Sequence, residues 1–170
     1  TSFIQAQTGL GKTYGYLLPT LNLESQAGVL VSVPTKILQN QIMQEEGQRL
    51  KEVFHLEIHS LKGPQNYLKL DAFHRVLHRP ESNRLFTRFK MQLLIWLTET
   101  ETGDLDEIGQ LYRYQHFLPE LVHDGKLSKK SLFATEDFWK RGQEKAKTSR
   151  VLLTNHAYLV TRLEDNPEFV

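Results

Sequence analysis

The segment Ala6-Gln7-Thr8-Gly9-Leu10-Gly11-Lys12-Thr13 indicates the fold of this chain more clearly than any other stretch. It is a glycine-rich loop that ends in Gly-Lys-Thr. Residues 3–6 before the loop favour a strand, and residues 14–23 after it favour a helix. A strand, a glycine-rich loop and a helix in that order are typical of a phosphate-binding loop. The pattern therefore predicts an α/β fold with a P-loop and a parallel sheet.

Phosphate suits this loop because the first amides of a helix have no partners within it and carry partial positive charge. The two glycines lack the Cβ that would keep the backbone away from a ligand. The Lys12 ammonium can reach the terminal phosphates, and the Thr13 hydroxyl can hold Mg²⁺. The alternative, a polar turn capped by Thr13, leaves the adjacent Gly-Lys-Thr unexplained. The candidate nucleotide-binding residues are Ala6, Thr8, Gly9, Leu10, Gly11, Lys12 and Thr13, with Thr13 as the metal ligand.

Length and composition predict a globular domain. The chain has 170 residues, of which 39% are hydrophobic, so it can bury a core. Twenty-one basic and 20 acidic residues give a net charge of +1, which says nothing about partners. The chain has no cysteine, which excludes disulfides, thiolate metal sites and cysteine nucleophiles within it and fits a cytoplasmic location.

The ends of the chain suggest that it is a piece of a larger protein. Thr1 lies almost directly before a predicted core strand, and Val170 follows soon after another. No apolar run approaches the roughly 18 residues of a membrane span, and no signal peptide precedes the first strand. We therefore expect no membrane partner.

The first third of the chain has the pattern β-α-β-α-β. Residues 28–33 form a nearly unbroken apolar run, as expected for a buried parallel strand. Thr35 can cap a helix over residues 36–51, and residues 53–61 alternate well enough for a third strand with His55 and His59 on its polar side. We expect no metal at these histidines, because further ligands are lacking nearby. The expected apolar face of the helix is Ile37, Leu38, Ile42 and Leu50.

The rest of the chain predicts a helical insertion and a return to β-α. Helices are expected at residues 71–77 and 84–97, and Thr135 can cap a third that runs to residue 147. Residues 151–153 favour a strand and residues 157–163 a helix. The expected core side of the 84–97 helix is Leu85, Phe86, Phe89, Leu93, Trp96 and Leu97.

Near neutrality conceals three charge blocks. Residues 62–90 carry seven basic and two acidic side chains, and residues 126–150 carry eight basic and three acidic ones. Between them, residues 99–124 carry seven acidic side chains and one basic. Basic helices interleaved with aromatic residues suit a channel for single-stranded DNA. The alternatives are solvated helix faces, or basic blocks that pair with the acidic one.

Several segments in order resemble the DinG helicases, which are relatives of the XPD nucleotide-excision-repair helicase. Together they span nearly the whole chain. The resemblance implies ATP-driven 5′ to 3′ translocation and unwinding of DNA by two RecA-like lobes, in repair or replication. The segments are the loop at 6–13, with Ala6 at its first position, Pro34-Thr35-Lys36-Ile37-Leu38-Gln39-Asn40-Gln41, Leu61-Lys62-Gly63-Pro64-Gln65-Asn66-Tyr67-Leu68, residues 96–105 and Leu153-Thr154-Asn155-His156-Ala157.

By this resemblance, residues 1–61 and 150–170 belong to the first RecA-like lobe, and residues 62–149 are a helical insertion. ATP and Mg²⁺ would bind at the loop. A helix start at Thr35 would present amides to a DNA phosphate, although Thr35 can equally be a plain helix cap. The candidate DNA contacts are Pro34, Thr35, Gln41, Lys62 and Lys69.

The chain departs from many relatives in having no iron–sulfur cluster ligands. Lys69 stands where the first cluster cysteine is expected, and no cysteine exists in the chain. This resembles the cluster-free DinG branch of Gram-positive bacteria, in which the motor is often fused to a DnaQ-like 3′ to 5′ exonuclease domain. We expect packing to hold the insertion together instead, through Phe73, Leu77, Phe86, Phe89, Trp96, Phe133, Phe138 and Trp139.

The resemblance also places the acidic motif that binds magnesium, and the second lobe with its arginine finger, beyond Val170. No catalytic residue is therefore expected within the chain, and the fragment alone should turn over essentially no ATP. One alternative is a nucleotide-gated DNA-binding or regulatory lobe of an exonuclease with little unwinding activity. A nucleotide kinase or transport ATPase that shares only the loop would explain neither Ala6 nor the later segments.

Overall fold

The computed structural model describes residues 11–19, 28–56, 58–126 and 131–165. The predicted strand at residues 3–6 and the loop as far as residue 10 lie outside this part of the chain. The strands are β1 (Val29–Val33), β2 (Ile58–Ser60) and β3 (Val151–Asn155). The helices are α1 (Lys12–Leu17), α2 (Lys36–Ile42), α3 (Gln48–Phe54), α4 (Leu70–His78), α5 (Arg84–Leu97), α6 (Phe138–Thr148) and α7 (His156–Asp165), with a π-helical segment at Met43–Gly47 between α2 and α3.

The described strands form a parallel sheet in which β3, the last in sequence, is the middle strand. β1 pairs with β3 from Val29 opposite Val151 to Val33 opposite Asn155. β2 pairs with the other edge of β3, with Ile58 also opposite Val151. Parallel neighbours require crossover connections, which the helices provide. The parallel α/β sheet predicted from the sequence is confirmed.

By contacts, the chain divides into two compact units. The sheet unit comprises residues 1–62 and 145–170, and the helical unit comprises residues 63–144. The core of the sheet unit joins α1, the sheet and the α2–α3 helix. It consists of the buried residues Leu17, Val33, Ile42, Leu50, Leu56, Val151 and Leu153.

The buried face of the α2–α3 helix differs from the apolar face predicted for it. Ile37 is 81% exposed and Leu38 is 37% exposed, whereas Gln39 is fully buried. Ile42 and Leu50 are buried as expected. The π-helical segment contains more residues per turn than an α-helix, but it begins at Met43 and so changes the helical period only beyond Ile42. The polar contacts of Gln39 replace the apolar ones that Ile37 and Leu38 were expected to make.

The strand predicted at residues 53–61 is shorter than expected. α3 continues to Phe54, and His55 then adopts a left-handed backbone with φ of 52°. Its amide still makes a helical bond to the carbonyl oxygen of Lys51 at 3.1 Å, whereas the Leu56 amide turns back to the carbonyl oxygen of Leu50 at 3.3 Å, so the helix ends here. Only Ile58–Ser60 pairs as a strand, so the prediction that His55 lies on a strand face was wrong. The half-buried His59 lies on β2.

The helical unit is built on α4, α5 and a series of short 3-10 turns. α5 has the bounds predicted from the sequence, because the Asn83 side chain caps it by accepting from the amides of Leu85 and Phe86 at 2.9 and 3.2 Å. Leu85 is 45% exposed, so its placement on the core side was wrong. The buried core is Leu68, Phe73, Val76, Phe86, Phe89, Leu93, Trp96, Leu105, Ile108, Tyr114 and Leu121.

Stacked aromatic rings strengthen this core. The ring of Phe86 stacks on that of Phe117 with centroids 4.3 Å apart, and Phe89 stacks on Tyr114 at 4.2 Å. Leu77 packs against the same cluster. Phe138 and Trp139 are also buried, and Phe133 is half-buried. The described residues contain no group of histidines and carboxylates arranged to hold a metal ion.

The predicted cap of α6 was wrong by two residues. The helix begins at Phe138, and the carboxylate of Asp137 accepts from the amide of Lys140 at 2.8 Å. The Thr135 hydroxyl instead donates to the Glu136 carboxylate. A carboxylate caps a helix as well as a hydroxyl does, so either residue satisfied the sequence pattern. None of the helices that the structure describes is long and apolar enough to cross a membrane.

Candidate functional site

The end of the glycine-rich loop has a backbone that favours glycine. Gly11 is the N-cap of α1 and has φ of 67° and ψ of 32°, in the left-handed region that glycine adopts more readily than other residues. A Cβ at Gly11 would meet no atom within 4 Å, so the preference is conformational rather than steric among the described residues. Lys12 is exposed and Thr13 is half-buried at the start of the helix.

Helix α1 ties this loop end to the sheet. Leu17 is fully buried and belongs to the same cluster as Val33 of β1 and Leu153 of β3. The amide of Gly15 donates to the Gly11 carbonyl at 3.0 Å and closes the first turn. The other candidate nucleotide-binding residues lie outside the described part of the chain; they are Ala6, Thr8, Gly9 and Leu10.

A second candidate contact lies where β1 leads into α2. Pro34 and Thr35 are exposed, and Thr35 Oγ1 accepts from the Leu38 amide at 3.2 Å. The first backbone hydrogen bond of the helix runs from the backbone amide of Gln39 to the Thr35 carbonyl oxygen at 3.1 Å. The backbone amide of Ile37 comes before this bond in the chain and so has no acceptor within the helix. Thr35 is thus a helix cap, which is the alternative that the sequence left open for it. Its hydroxyl still has a hydrogen to donate to a phosphate oxygen, because capping uses only a lone pair.

Beneath this helix start lies a buried polar network that the sequence did not predict. Gln39 Nε2 donates toward Ser60 Oγ at 2.9 Å and toward the carbonyl oxygens of Leu61 and Leu153, each at 3.1 Å. Asn155 Nδ2 donates to Gln39 Oε1, also at 3.1 Å. The network joins α2 to β2 and β3: Ser60 and Asn155 are the last residues of their strands, Leu61 follows β2, and Leu153 lies in the middle of β3.

The tip of β3 also holds the start of α7. Asn155 Oδ1 accepts from the Tyr158 amide at 3.0 Å, which makes Asn155 the cap of that helix. Thr154 is fully buried and donates to the Leu61 carbonyl at 3.0 Å. Thr-Asn-His directly after an apolar strand was the available sequence signal for this polar tip.

Ser32 of β1 contacts His156, the first residue of α7 and the one that follows β3, on an exposed part of the same edge. Ser32 Oγ lies 2.8 Å from His156 Nδ1. This contact occupies Nδ1, so Nε2 is the nitrogen that an added partner would meet, and His156 is exposed. Polar groups at the carboxyl ends of parallel strands form the usual ligand-binding edge of α/β sheets.

The remaining candidate DNA contacts differ in exposure. Gln41 is exposed. Lys62 is buried, with 1% of its surface exposed, so a DNA contact by Lys62 would require its ammonium to leave that position. Lys69 Nζ lies 2.6 Å from Asp124 Oδ1 with a side chain that is 20% exposed, so its charge is engaged inside the helical unit.

The Lys69–Asp124 ion pair lowers the pKa of the Asp124 carboxyl group. The hydrogen bond from Lys69 lowers the pKa of Asp124 to about 2, and the amide of Lys126 assists. Arg79 pairs with Glu120 at 3.0 Å in the same unit. Both ion pairs join the first basic block to the acidic block, as the pairing alternative predicted, whereas Arg84 and Arg88 are exposed and form no ion pair with the described residues.

A buried histidine organises the end of the helical unit. His123 is 2% exposed, and its Nδ1 accepts from the Gly125 amide at 2.9 Å, so Nε2 carries the proton that points to Asp137 Oδ2 at 3.1 Å. Burial raises the pKa of Asp137, but the hydrogen bonds from His123 and Lys140 outweigh it and leave that pKa below its usual value. The His123 ring lies 5.0 Å from that of Trp139. These roles are structural.

Three side chains of the segment at residues 96–105 donate hydrogen bonds to the carboxylate of Glu107. The Glu107 carboxylate accepts from Trp96 Nε1 at 3.1 Å, from the Thr100 hydroxyl at 2.6 Å and from the Thr102 hydroxyl. The Gly103 amide donates to Thr100 Oγ1 at 2.9 Å. These bonds turn the chain after α5, so the segment shapes the helical unit.

Comparison with known proteins relates the chain to one family profile and to a group of curated proteins. The profile described as DEAD/DEAH box helicase matches residues 1–108. The chain is 32% identical to the "3′-5′ exonuclease DinG" of Staphylococcus saprophyticus over 97% of its own length. Identity to proteins of the same name is 33% in Bacillus subtilis and 30% in Staphylococcus aureus, each over 94% of the chain. The chain spans 18% of the length of each of these relatives.

Proposed function

Since the chain belongs to the DEAD/DEAH box helicase family, we propose that it forms most of the first RecA-like lobe of a DNA motor driven by ATP and Mg²⁺. In this proposal the motor acts on single-stranded DNA in repair or replication and translocates 5′ to 3′. The observation that carries the proposal is the end of the P-loop at Gly11, whose left-handed backbone leads into a helix anchored in the sheet core by Leu17.

On the nucleotide side, residues 8–13 cradle the phosphates of ATP. Lys12 neutralises the β and γ phosphates, and the Thr13 hydroxyl is a ligand of Mg²⁺. The exposure of Lys12 and the position of both residues in the first turn of α1 support these roles. Acidic residues beyond this chain would complete the magnesium site and orient the attacking water.

On the DNA side, the exposed Thr35 donates its hydroxyl hydrogen to a phosphate of one strand. Phosphate contacts of this kind position a strand without reading its sequence. Thr35 lies two residues after β1, at the edge of the sheet where ligands usually bind. Pro34 and Gln41 are exposed and remain candidates for contacts to the same DNA strand.

We assign residues 62–149 to the insertion that occupies the position of the family's iron–sulfur domain. The chain contains no cysteine to hold a cluster. Aromatic packing and the Lys69–Asp124 pair support a metal-free way of holding this region. The second RecA-like lobe is the partner expected in the same parent protein.

A second candidate function follows from the name of the relatives. Each is called "3′-5′ exonuclease DinG", so this lobe can serve as a nucleotide-gated DNA-binding or regulatory part of an exonuclease with little unwinding activity. In that case ATP would change the conformation or affinity of the lobe while a separate domain cuts the DNA.

An ATPase and strand-displacement experiment on the intact parent protein tests the proposal. For a motor, a single-stranded oligonucleotide should stimulate ATP hydrolysis, and a duplex with a 5′ overhang should be separated in preference to one with a 3′ overhang. Hydrolysis without DNA stimulation and without strand displacement would refute the motor and favour the regulatory lobe. Absence of ATP binding would refute both.

A further inference from the structure

The strongest unassigned feature of the sheet unit is the buried amide of Gln39. A primary amide in a protein core is costly unless its donors and acceptor are paired. Gln39 is fully buried and its contacts reach two strands: Ser60 and Leu61 at the end of β2, and Leu153 and Asn155 of β3. An apolar side chain would have filled the same space, so packing alone does not explain the amide.

The orientation of the Gln39 amide follows from its neighbours. Nε2 faces two backbone carbonyl oxygens, which can only accept, and Oε1 faces the Asn155 Nδ2 group, which can only donate. Rotating the amide by 180° would oppose oxygen to oxygen and nitrogen to nitrogen. The network therefore has a single arrangement, and the side chain cannot exchange partners without breaking several contacts.

This arrangement connects two helix starts. Gln39 lies one turn after Thr35, and its backbone N–H donates to the backbone carbonyl oxygen of Thr35 at 3.1 Å. Asn155 caps α7 through the Tyr158 amide. Because Gln39 and Asn155 are joined directly at 3.1 Å, the first turn of α2 is held against the tip of the middle strand and the start of α7.

We propose that Gln39, through its bond to Asn155, is a positioning residue that holds Thr35 where its hydroxyl meets a phosphate of single-stranded DNA. The inference rests on the proposed function, since it presumes a DNA strand at Thr35. Gln39 itself is fully buried and touches no ligand. Its loss allows the first turn of α2 to shift, which weakens the phosphate contact and leaves the nucleotide loop in place.

The test is a double-mutant cycle in the intact parent protein. The variants are Gln39→Met, which keeps length and removes every hydrogen bond, Thr35→Ala, and the two combined. The oligothymidylate concentration that gives half-maximal stimulation of ATP hydrolysis is measured for each variant. The rate of ATP hydrolysis without DNA is measured as well. Gln48→Met is the matched control, because Gln48 is exposed on α3.

Gln39→Met should raise the half-saturating oligothymidylate concentration by about tenfold, while DNA-independent hydrolysis and the KM for ATP stay within about twofold. In the Thr35→Ala background the same change should add less than about twofold, because the contact that it positions is already gone. A merely structural role would instead lower the active fraction, hence kcat, without a change in half-saturation. Equal effects in both backgrounds, or none, would overturn the inference.

A second variant guards against misfolding. Asn155→Asp keeps the oxygen that caps α7 but replaces the Nδ2 donor with an oxygen that repels Gln39 Oε1. In the same cycle it should reproduce the Gln39→Met result. Unfolding of both variants would overturn the inference, because the pair would then be needed for the fold itself. A wild-type protein that ignores oligothymidylate refutes the proposed function, whereas a responsive wild type with additive variants refutes the positioning role alone.

Discussion

Lys69 Nζ lies 2.6 Å from Asp124 Oδ1 and so joins two residues that are 55 positions apart in the helical unit. Lys69 is the residue that stands where cluster-bearing relatives are expected to have a first cysteine. A cluster would join distant segments by covalent bonds to iron, whereas this chain joins two of them by a charged hydrogen bond. The contact is partly exposed, so its contribution at neutral pH is modest.

The Lys69–Asp124 pair predicts a specific acid sensitivity. Because Lys69 lowers the pKa of Asp124 from 3.8 to about 2, the pair stabilises the fold fully above the unfolded value and loses that contribution as the pH falls toward about 2. Asp124→Asn should lower the free energy of unfolding by less than about 1 kcal/mol at neutral pH. In urea titrations from about pH 6 to about pH 2, the difference between wild type and variant should shrink. A difference that stays constant with pH would contradict this account.

Lys12→Ala should abolish ATP-dependent activity in the intact protein with little change in stability. Lys12 is exposed in the first turn of α1, so truncation removes phosphate neutralisation without opening the core. We expect a fall in ATP turnover of about 100-fold or more and a melting temperature close to that of the wild type. Lys51→Ala is the control, because Lys51 is an exposed helical lysine of the same unit. Parallel loss of stability and activity would make Lys12 structural.

Gly103→Ala should destabilise the protein strongly although it adds only one methyl group. Gly103 has φ of 69°, and a Cβ there would overlap the Phe138 side chain. Left-handed strain and overpacking together should cost about 2–4 kcal/mol in chemical unfolding. Gly109→Ala is the matched control, since a Cβ at Gly109 meets nothing within 4 Å, and it should change stability by less than about 0.5 kcal/mol. Equal costs at both glycines would refute the steric argument.

His123→Phe should separate ring packing from hydrogen bonding. Phenylalanine can keep the contact with Trp139 but leaves the Gly125 amide and one Asp137 oxygen without their partner. Gly125 and Asp137 are half-buried, so leaving these groups unpaired should cost about 1 kcal/mol in the free energy of unfolding, and the urea midpoint should fall. His116→Phe, at an exposed position, should have little effect. A wild-type midpoint in His123→Phe would show that the ring alone matters.

The apolar period of α5 is strong, and its bounds were predicted correctly from that period. The Asn83 cap, which that prediction did not use, fixes the start of the helix in the structure. The parallel sheet was also predicted, because β1 and β3 are short β-branched or aliphatic runs that suit buried strands. The glycine spacing also predicts a nucleotide-binding loop; the structure describes only its last residues, so this remains a prediction.

The burial of Gln39 was missed because it depends on contacts distant in sequence. Gln39 is polar, so a hydropathy pattern places it outside, yet β2 and β3 supply partners that make it a core residue. The π-helical segment after α2 then changes the helical period, which no local pattern announces. Asp137 and Thr135 are both good caps by composition, but only Asp137 also contacts the buried His123, 14 residues before it in the chain.

The order of the strands has a consequence for how the protein is made. Among the described strands, β1 and β2 each pair only with β3. Val29 of β1 therefore cannot pair until its partner Val151 has been synthesised. Until the ribosome has delivered residues 151–155, both earlier strands expose edges that could pair with another nascent chain. The helical unit, which ends at residue 144, is synthesised before β3 and can therefore fold while both earlier strands still lack their partner.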